Sequence, residues 1–173
     1  PKPVAPWDGF GDFKEIKNDH LAKILEDGST APLNVKINVA CHLEDKNKLR
    51  EYSKLESHKN VSLAYRLWVR GDGNLEDPYL LGLRKKLINK EVKGNYPSAF
   101  FLENKDAAGY EEFYKALVKE KNAKRAYDVA KYPILFQRNP SYLEEARNKI
   151  FEEYSPHEAY SFFEKEKDEV GSN

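Results

Sequence analysis

A single thiol, Cys41, is the first side chain in this sequence that could do chemistry, because a cysteine thiolate is a good nucleophile. It belongs to the tetrad Cys41-His42-Leu43-Glu44, in which we predict that Cys41 and His42 form a structural turn. Disulfide exchange needs a second thiol, and this chain has one cysteine. The apolar residues that alternate before Cys41 predict a buried, inert thiol. Reaction with a thiol of another molecule is the alternative.

Carboxylates and imidazoles offer the other possible chemistry. Glu111 and Glu112 are adjacent on a segment with helical periodicity, whose apolar side carries Phe113 and Tyr114. This pattern predicts that both glutamates face solvent, and the alternative is that one of them lines a pocket. No two histidines lie three or four residues apart, so we predict no metal and no cofactor. The four histidines are His20, His42, His58 and His157.

Composition limits the classes of partner. Lys plus Arg and Asp plus Glu both number 29, so the net charge is zero. Nucleic-acid-binding proteins usually carry a basic excess, and we therefore predict no nucleic-acid partner. No apolar window reaches the roughly 18 residues that a membrane span needs, so no membrane partner is predicted. The oligomeric state stays open.

Apolar alternation and helical spacing follow one another along the chain. Alternation predicts strands over residues 33–43, 60–69 and 98–102, with a short one over 132–137. Helical spacing lies between these segments, most clearly over 106–121. The order predicts an α/β fold with a mainly parallel central sheet flanked by helices, and a helical C-terminal extension. We expect an extended lead-in over 1–12, the α/β domain over 13–137, the extension over 138–167 and a frayed tail over 168–173. The two Tyr-Pro dipeptides share no further match, so no repeat is predicted.

The order of features over residues 36–103 resembles the thioredoxin fold. The segment ends in "VKGNYPSAFFL", in which Val92, Tyr96, Pro97 and Phe101 stand where that family has a strand opened by a cis-proline. The segment "VKINVACHLEDK" is similar to a strand-to-helix passage of redox-inactive endoplasmic reticulum chaperones of the Windbeutel type. The resemblance implies a location in the endoplasmic reticulum lumen or outside the cell. Without it, a cytoplasmic location is expected.

A second resemblance connects the chain with the flavodoxin-like TIR domains. The segment "LEDKNKLREYSKL", followed by a predicted strand ending in "LWVRGDGN", is similar to part of those domains. TIR enzymes cleave NAD with a glutamate on a helix after the third strand. The resemblance implies that Glu111 or Glu112 would take that place.

We therefore hypothesise a non-enzymatic binding module for polypeptide or a partner protein, with a role like that of a chaperone or escort protein. Aromatic residues around two predicted strands are the candidate contacts, because exposed aromatic patches bind extended polypeptide. These candidates are Trp68, Tyr79, Tyr96, Pro97 and Phe100. One alternative is a TIR-like enzyme acting on NAD. The other is a secreted effector or interaction protein of unrelated fold.

Overall fold

The computed structural model describes residues 16–94 and 99–172, and all regular elements within these ranges are helices. The predicted thioredoxin-like fold, the flavodoxin-like alternative and the parallel sheet are therefore wrong for this part of the chain. The helices are α1 (Asn18–Ile24), α2 (Leu33–Leu43), α3 (Lys46–Glu56), α4 (Val61–Arg70), α5 (Pro78–Lys93), α6 (Ala99–Glu103), α7 (Ala107–Lys119), α8 (Ala123–Lys131), α9 (Pro133–Phe136), α10 (Ser141–Glu153), α11 (Pro156–Lys165) and α12 (Glu169–Ser172). None of them is long and apolar enough to cross a membrane.

The predicted strands correspond to helices α2, α4, α6 and α9. In α4 the side chain of Asn60 accepts a hydrogen bond from the N–H of Leu63 at 3.1 Å and so caps the helix. The buried residues then repeat at a spacing of four, as Leu63 with Leu67 and Ala64 with Trp68. This spacing places them on one helical face. Alternation and helical spacing coexist in this segment, and the cap favours the helix.

Helix α2 is buried at five consecutive positions. The spacing of its apolar residues therefore does not distinguish a helix from a strand. Residues 37–41 are all buried, so both apolar alternation and apolar helical spacing are present in the same stretch. Val and Ile favour strands by local preference, but that preference is small compared with the burial of a helix inside a core. The core decides the conformation here.

The chain forms two compact units, which we call the N-terminal unit (Pro1–Lys86) and the C-terminal unit (Leu87–Asn173). In the N-terminal unit, α2 packs on α1 and α3, and α3 packs on α4. In the C-terminal unit, α8 packs on α7, α9 and α10. The boundary falls inside α5. The predicted segment bounds at residues 12, 137 and 167 stay predictions, although the α/β character given to 13–137 is wrong.

Five helices end in the same kind of turn. A non-glycine residue with φ between 53° and 56° ends each helix, and the next N–H bonds the carbonyl five residues earlier. The five left-handed residues are Glu44, Asp72, Lys105, Lys121 and Lys167. This is the Schellman arrangement, which satisfies the free carbonyls of a helix C-terminus. It also turns the chain sharply toward the next helix.

Three of these turns continue directly into an aspartate cap. Asp45, Asp106 and Asp168 each accept a hydrogen bond through Oδ1 from the N–H three residues later, at 3.1, 3.0 and 3.1 Å. The same three residues donate their own N–H to the preceding helix, at 3.0, 2.8 and 2.9 Å. They lie 61 and 62 residues apart. One aspartate thus closes one helix and opens the next at three places in the chain.

Two of the junctions share a longer sequence match. "FFLENKDAAG" over 100–109 corresponds to "FFEKEKDEVG" over 162–171. Upstream, "AY" at 64 and 126 also match. So do "YL" at 79 and 142, and in these two the tyrosine is followed five residues later by an arginine, Arg84 and Arg147. These matches and the spacing of the three aspartates indicate related helical segments about 62 residues apart. A search for identical dipeptides misses them because most aligned positions differ.

Asp168 is the most strongly held of the three aspartates. Its Oδ2 accepts hydrogen bonds from the Tyr127 hydroxyl at 2.6 Å and from Arg147 Nε at 2.8 Å. Burial raises the pKa of this carboxyl, but the hydrogen bonds from Arg147, Tyr127 and the Gly171 N–H outweigh burial and lower the pKa to about 2. The predicted frayed tail thus includes a buried carboxylate, that of Asp168, which is bonded to side chains of α8 and α10.

Gly109 tests the packing at the second junction. A Cβ at this residue would lie 2.5 Å from Phe101 Cδ1 and 2.6 Å from Asp106 Oδ2. We expect Gly109→Ala to lower the free energy of unfolding by about 1–3 kcal/mol, because overpacking exceeds the gain of about 1 kcal/mol in helix propensity. Gly82→Ala is the matched control, since Gly82 is also helical and nothing lies within 4 Å of its Cβ position. It should raise stability by about 0.5–1 kcal/mol. The free energies of unfolding are measured with urea. An equal gain in stability for both variants would contradict the close packing at Gly109.

Asp168→Asn tests the carboxylate cluster through its pH dependence. A carboxyl with a lowered pKa in the folded protein stabilises the fold above the unfolded pKa of about 4 and loses that contribution as the pH falls toward 2. The variant should therefore lose on the order of 2 kcal/mol at pH 7 and much less near pH 2. Asp128→Asn is the control, because burial raises the pKa of Asp128 and removal of that charge should not destabilise at pH 7. An equal loss for Asp168→Asn at both pH values would argue against an ionised cluster.

Candidate functional site

Trp68 and Tyr79, two of the predicted contact residues, pack against each other in the N-terminal unit. Their ring centres lie 4.9 Å apart. Trp68 is only 6% exposed and donates from Nε1 to the carbonyl of Asn74 at 3.0 Å. The hydroxyls of Tyr79 and Ser53 lie 2.9 Å apart, and Ser53 donates to the Ala64 carbonyl at 2.5 Å. These contacts join α3, α4 and α5, so the pair stabilises the helices and offers little free surface.

The other predicted contact residues do not add to this pair. Phe100 is half-buried in α6, which belongs to the C-terminal unit. Tyr96 and Pro97 lie outside the described residues, and so does the predicted cis peptide bond. The binding role of all five aromatic and proline candidates stays a prediction.

Cys41 and His42 lie inside helix α2, and the turn follows at Glu44 with φ 53°. The thiol is 1% exposed. Burial raises its pKa, and the nearby Arg70 guanidinium lowers it by less. A raised pKa keeps the thiol protonated at neutral pH, which is the unreactive form. The expected burial of Cys41 is confirmed, although the strand from which it was inferred is a helix.

The two glutamates of the TIR-like alternative lie on α7. Glu111 is half-buried and forms ion pairs with Arg138 at 3.2 Å and with Lys115 at 3.8 Å. Glu112 is exposed. No strand precedes this helix in residues 99–172, so the sheet edge that this alternative requires is missing there. Across the described ranges, no group of three or more His, Cys, Asp or Glu side chains is arranged to hold a metal.

A groove that the sequence analysis missed lies on the N-terminal unit. It has a volume of about 390 Å³ and runs between the end of α1, the following loop and one face of α2 and α3. Its apolar walls are Leu25, Leu33, Tyr52 and Leu55. Leu25 and Tyr52 are buried in the core, whereas Leu55 is 56% exposed, more than any other leucine in the exposed apolar set. The groove therefore connects the core with a solvent-exposed apolar side chain.

Charged side chains surround these apolar walls. Lys48 Nζ lies 3.3 Å from Asp27 and 3.2 Å from Glu51. The hydrogen bonds that it donates, first to Glu51 and then to Asp27, raise the pKa of Lys48. Lys36 donates to the carbonyl of Ser29 at 3.0 Å. With Glu26, three carboxylates and two ammonium groups line the groove. The rim is thus acidic by one charge, and both of its lysines already have oxygen partners.

Sequence reasoning could have found part of this groove. The spacing of Leu49, Tyr52 and Leu55 predicts one apolar stripe on a polar helix, and Leu49 and Tyr52 are buried on α3. The stripe does not show which of its members are covered, because that depends on α1 and the loop after it. The exposure of Leu55 is visible only in three dimensions.

Comparison with known proteins gives no additional guide to this site: no family model, no curated protein and no solved structure matches the chain.

Proposed function

We propose that this chain is a non-enzymatic protein-interaction module whose N-terminal unit binds a polypeptide segment in the groove between α1, α2 and α3. The observation that carries the proposal is Leu55, an exposed leucine at the mouth of a groove whose other apolar walls reach the core. Of the earlier hypotheses, an interaction protein of unrelated fold is the one that this geometry supports.

The shape of the groove favours a short segment with one apolar side chain. A volume of about 390 Å³ accommodates a few side chains rather than a folded surface. An apolar side chain of the partner would cover Leu55 and Leu33, and full burial of such a side chain contributes about 1.5–3 kcal/mol. Concave apolar sites with a few polar groups are the usual form of a peptide-binding site.

The rim indicates the charge of the partner. Asp27 and Glu51 share one lysine, and the Asp27 side chain is fully exposed. Glu26 adds a third carboxylate. A segment with Lys or Arg beside its apolar residue would complement this rim, because opposite charges across an interface speed association and favour the correct partner.

The chemistry of the remaining candidates supports binding rather than catalysis. Cys41 is buried with a raised pKa, and Glu111 is held in two ion pairs. Helical repeats stack into surfaces that commonly bind other proteins, which adds support by analogy of architecture.

Leu55→Asp tests the proposed groove. Selection from a random peptide library displayed on phage, with the full chain immobilised, should enrich segments in which an apolar residue is flanked by Lys or Arg. The enriched peptides, resynthesised and measured by fluorescence anisotropy, should bind Leu55→Asp at least about tenfold more weakly, because a carboxylate replaces the apolar contact (about 1.4 kcal/mol or more).

Leu81→Asp is the matched control, since Leu81 is also an exposed leucine, at 39%, on α5 and outside the groove. It should leave the affinity unchanged, and circular dichroism should show that both variants stay folded. The proposal is falsified if no peptide is enriched, or if the two variants bind the enriched peptides equally well.

A further inference from the structure

A second groove, on the C-terminal unit, carries a positive charge that the fold does not neutralise. It has a volume of about 610 Å³ and lies between the α7–α8 turn and the last turn of α10. It is lined by Val118, Lys119 and Lys121 on one side and by Lys149, Glu152, Glu153 and Tyr154 on the other. This groove shares no residue with the groove of the N-terminal unit.

Both carboxylates that line the groove already have partners. Glu152 pairs with Lys149 at 3.0 Å. Glu153 accepts a hydrogen bond from the N–H of Ala123 at 3.2 Å and so closes the start of α8. Within the described part of the chain, Lys119 and Lys121 form no ion pair. Three lysines against two glutamates give the groove a positive excess of one charge, in a chain whose net charge is zero.

A third lysine stands beside the same wall. The Nζ atom of Lys124 lies 4.4 Å from the centre of the Tyr154 ring and 5.6 Å from that of Phe162. Such cation–π contacts hold the ammonium group over the rings without neutralising it. Tyr154 is half-buried and Val118 is partly exposed, so the charged groove also has apolar contacts to offer.

Complementarity to a helix dipole explains only one of these lysines. Lys119 lies in the last turn of α7, where a positive charge is favourable by about 0.3–1 kcal/mol. Lys121 follows the end of that helix, in a left-handed conformation with φ 56°. Lys124 is in the first turn of α8, where the dipole disfavours a cation. Helix stability therefore does not account for this group of charges.

We propose that the groove binds an acidic polypeptide segment, with Lys119 and Lys121 contacting its carboxylates and Val118 and Tyr154 packing against an apolar side chain. All three cations that line the groove are lysines, so it lacks the planar guanidinium fork that suits bidentate phosphate contacts. Its apolar walls suit side chains rather than a sugar–phosphate backbone. The balanced charge of the whole chain also differs from that of a nucleic-acid-binding protein.

The test uses a fluorescein-labelled peptide of about a dozen residues, rich in Asp and Glu around one central Leu, and the full chain. Fluorescence anisotropy should show saturable binding that weakens between about 50 and 200 mM salt, because screening reduces the attraction. The double variant Lys119→Glu/Lys121→Glu should raise Kd at least about tenfold. Lys121→Arg, which keeps the charge, should retain the affinity in parallel measurements.

Lys85→Glu/Lys86→Glu is the matched control, because it changes the net charge equally at two exposed lysines of α5. It should bind the peptide as the unaltered chain does, and thermal melting should show that all variants remain folded. An equal loss of affinity in both double variants would mean that only net charge matters and would overturn the proposal. The absence of peptide binding would also overturn it. So would binding of inorganic phosphate or an RNA oligonucleotide, instead of the peptide, that is lost only in Lys119→Glu/Lys121→Glu.

Discussion

Two junctions between consecutive helices each depend on one buried aspartate that serves two helices at once. At Asp106 and Asp168 the backbone N–H closes the preceding helix, while the side chain caps the next. The left-handed residue before each aspartate reverses the chain, and the glycine three residues later allows the phenyl ring of the preceding helix to approach. Without the carboxylate, the buried N–H of Gly109 or Gly171 would lose its partner. The hydrogen bonds therefore make the close helix packing possible.

The same junction recurs along the chain and connects short helices that pack on one another. Most helices are short and gain their stability from packing on other helices, as α3 does on α4 and α8 does on α7 and α10. Both grooves lie at helix ends, where turns and caps leave room that helix-on-helix packing fills elsewhere. One groove has an acidic rim and exposed Leu55, and the other has unpaired Lys119 and Lys121. The two proposals assign these grooves to polypeptide segments of opposite charge.

The failure of the α/β prediction has a physical cause in particular residues. In α2 the alternation of Val35, Ile37, Val39 and Cys41 is real, but the intervening Asn38 and Ala40 are buried as well. In such a short run, the apolar alternation of a strand cannot be distinguished from a helix that is buried on all sides. The resemblance to thioredoxin depended on reading these segments as strands, so it was wrong together with them. The capping residue Asn60, at the start of α4, points in the other direction and favours a helix.

Local chemistry, readable in the sequence, determined the helix starts and one buried group. The predicted helix over 106–121 is confirmed as α7, Pro78 begins α5 after Asp77, and Ser155 caps α11 with Pro156 in first position. The buried thiol was also predicted correctly. Tertiary structure alone decided which apolar residues stay uncovered and which charges stay unpaired. Leu55 is exposed because α1 and its loop leave it uncovered, and Glu153 bonds the backbone N–H of Ala123, which is 30 residues away in the sequence. These contacts join residues far apart along the chain, and spacing within a single segment does not encode them.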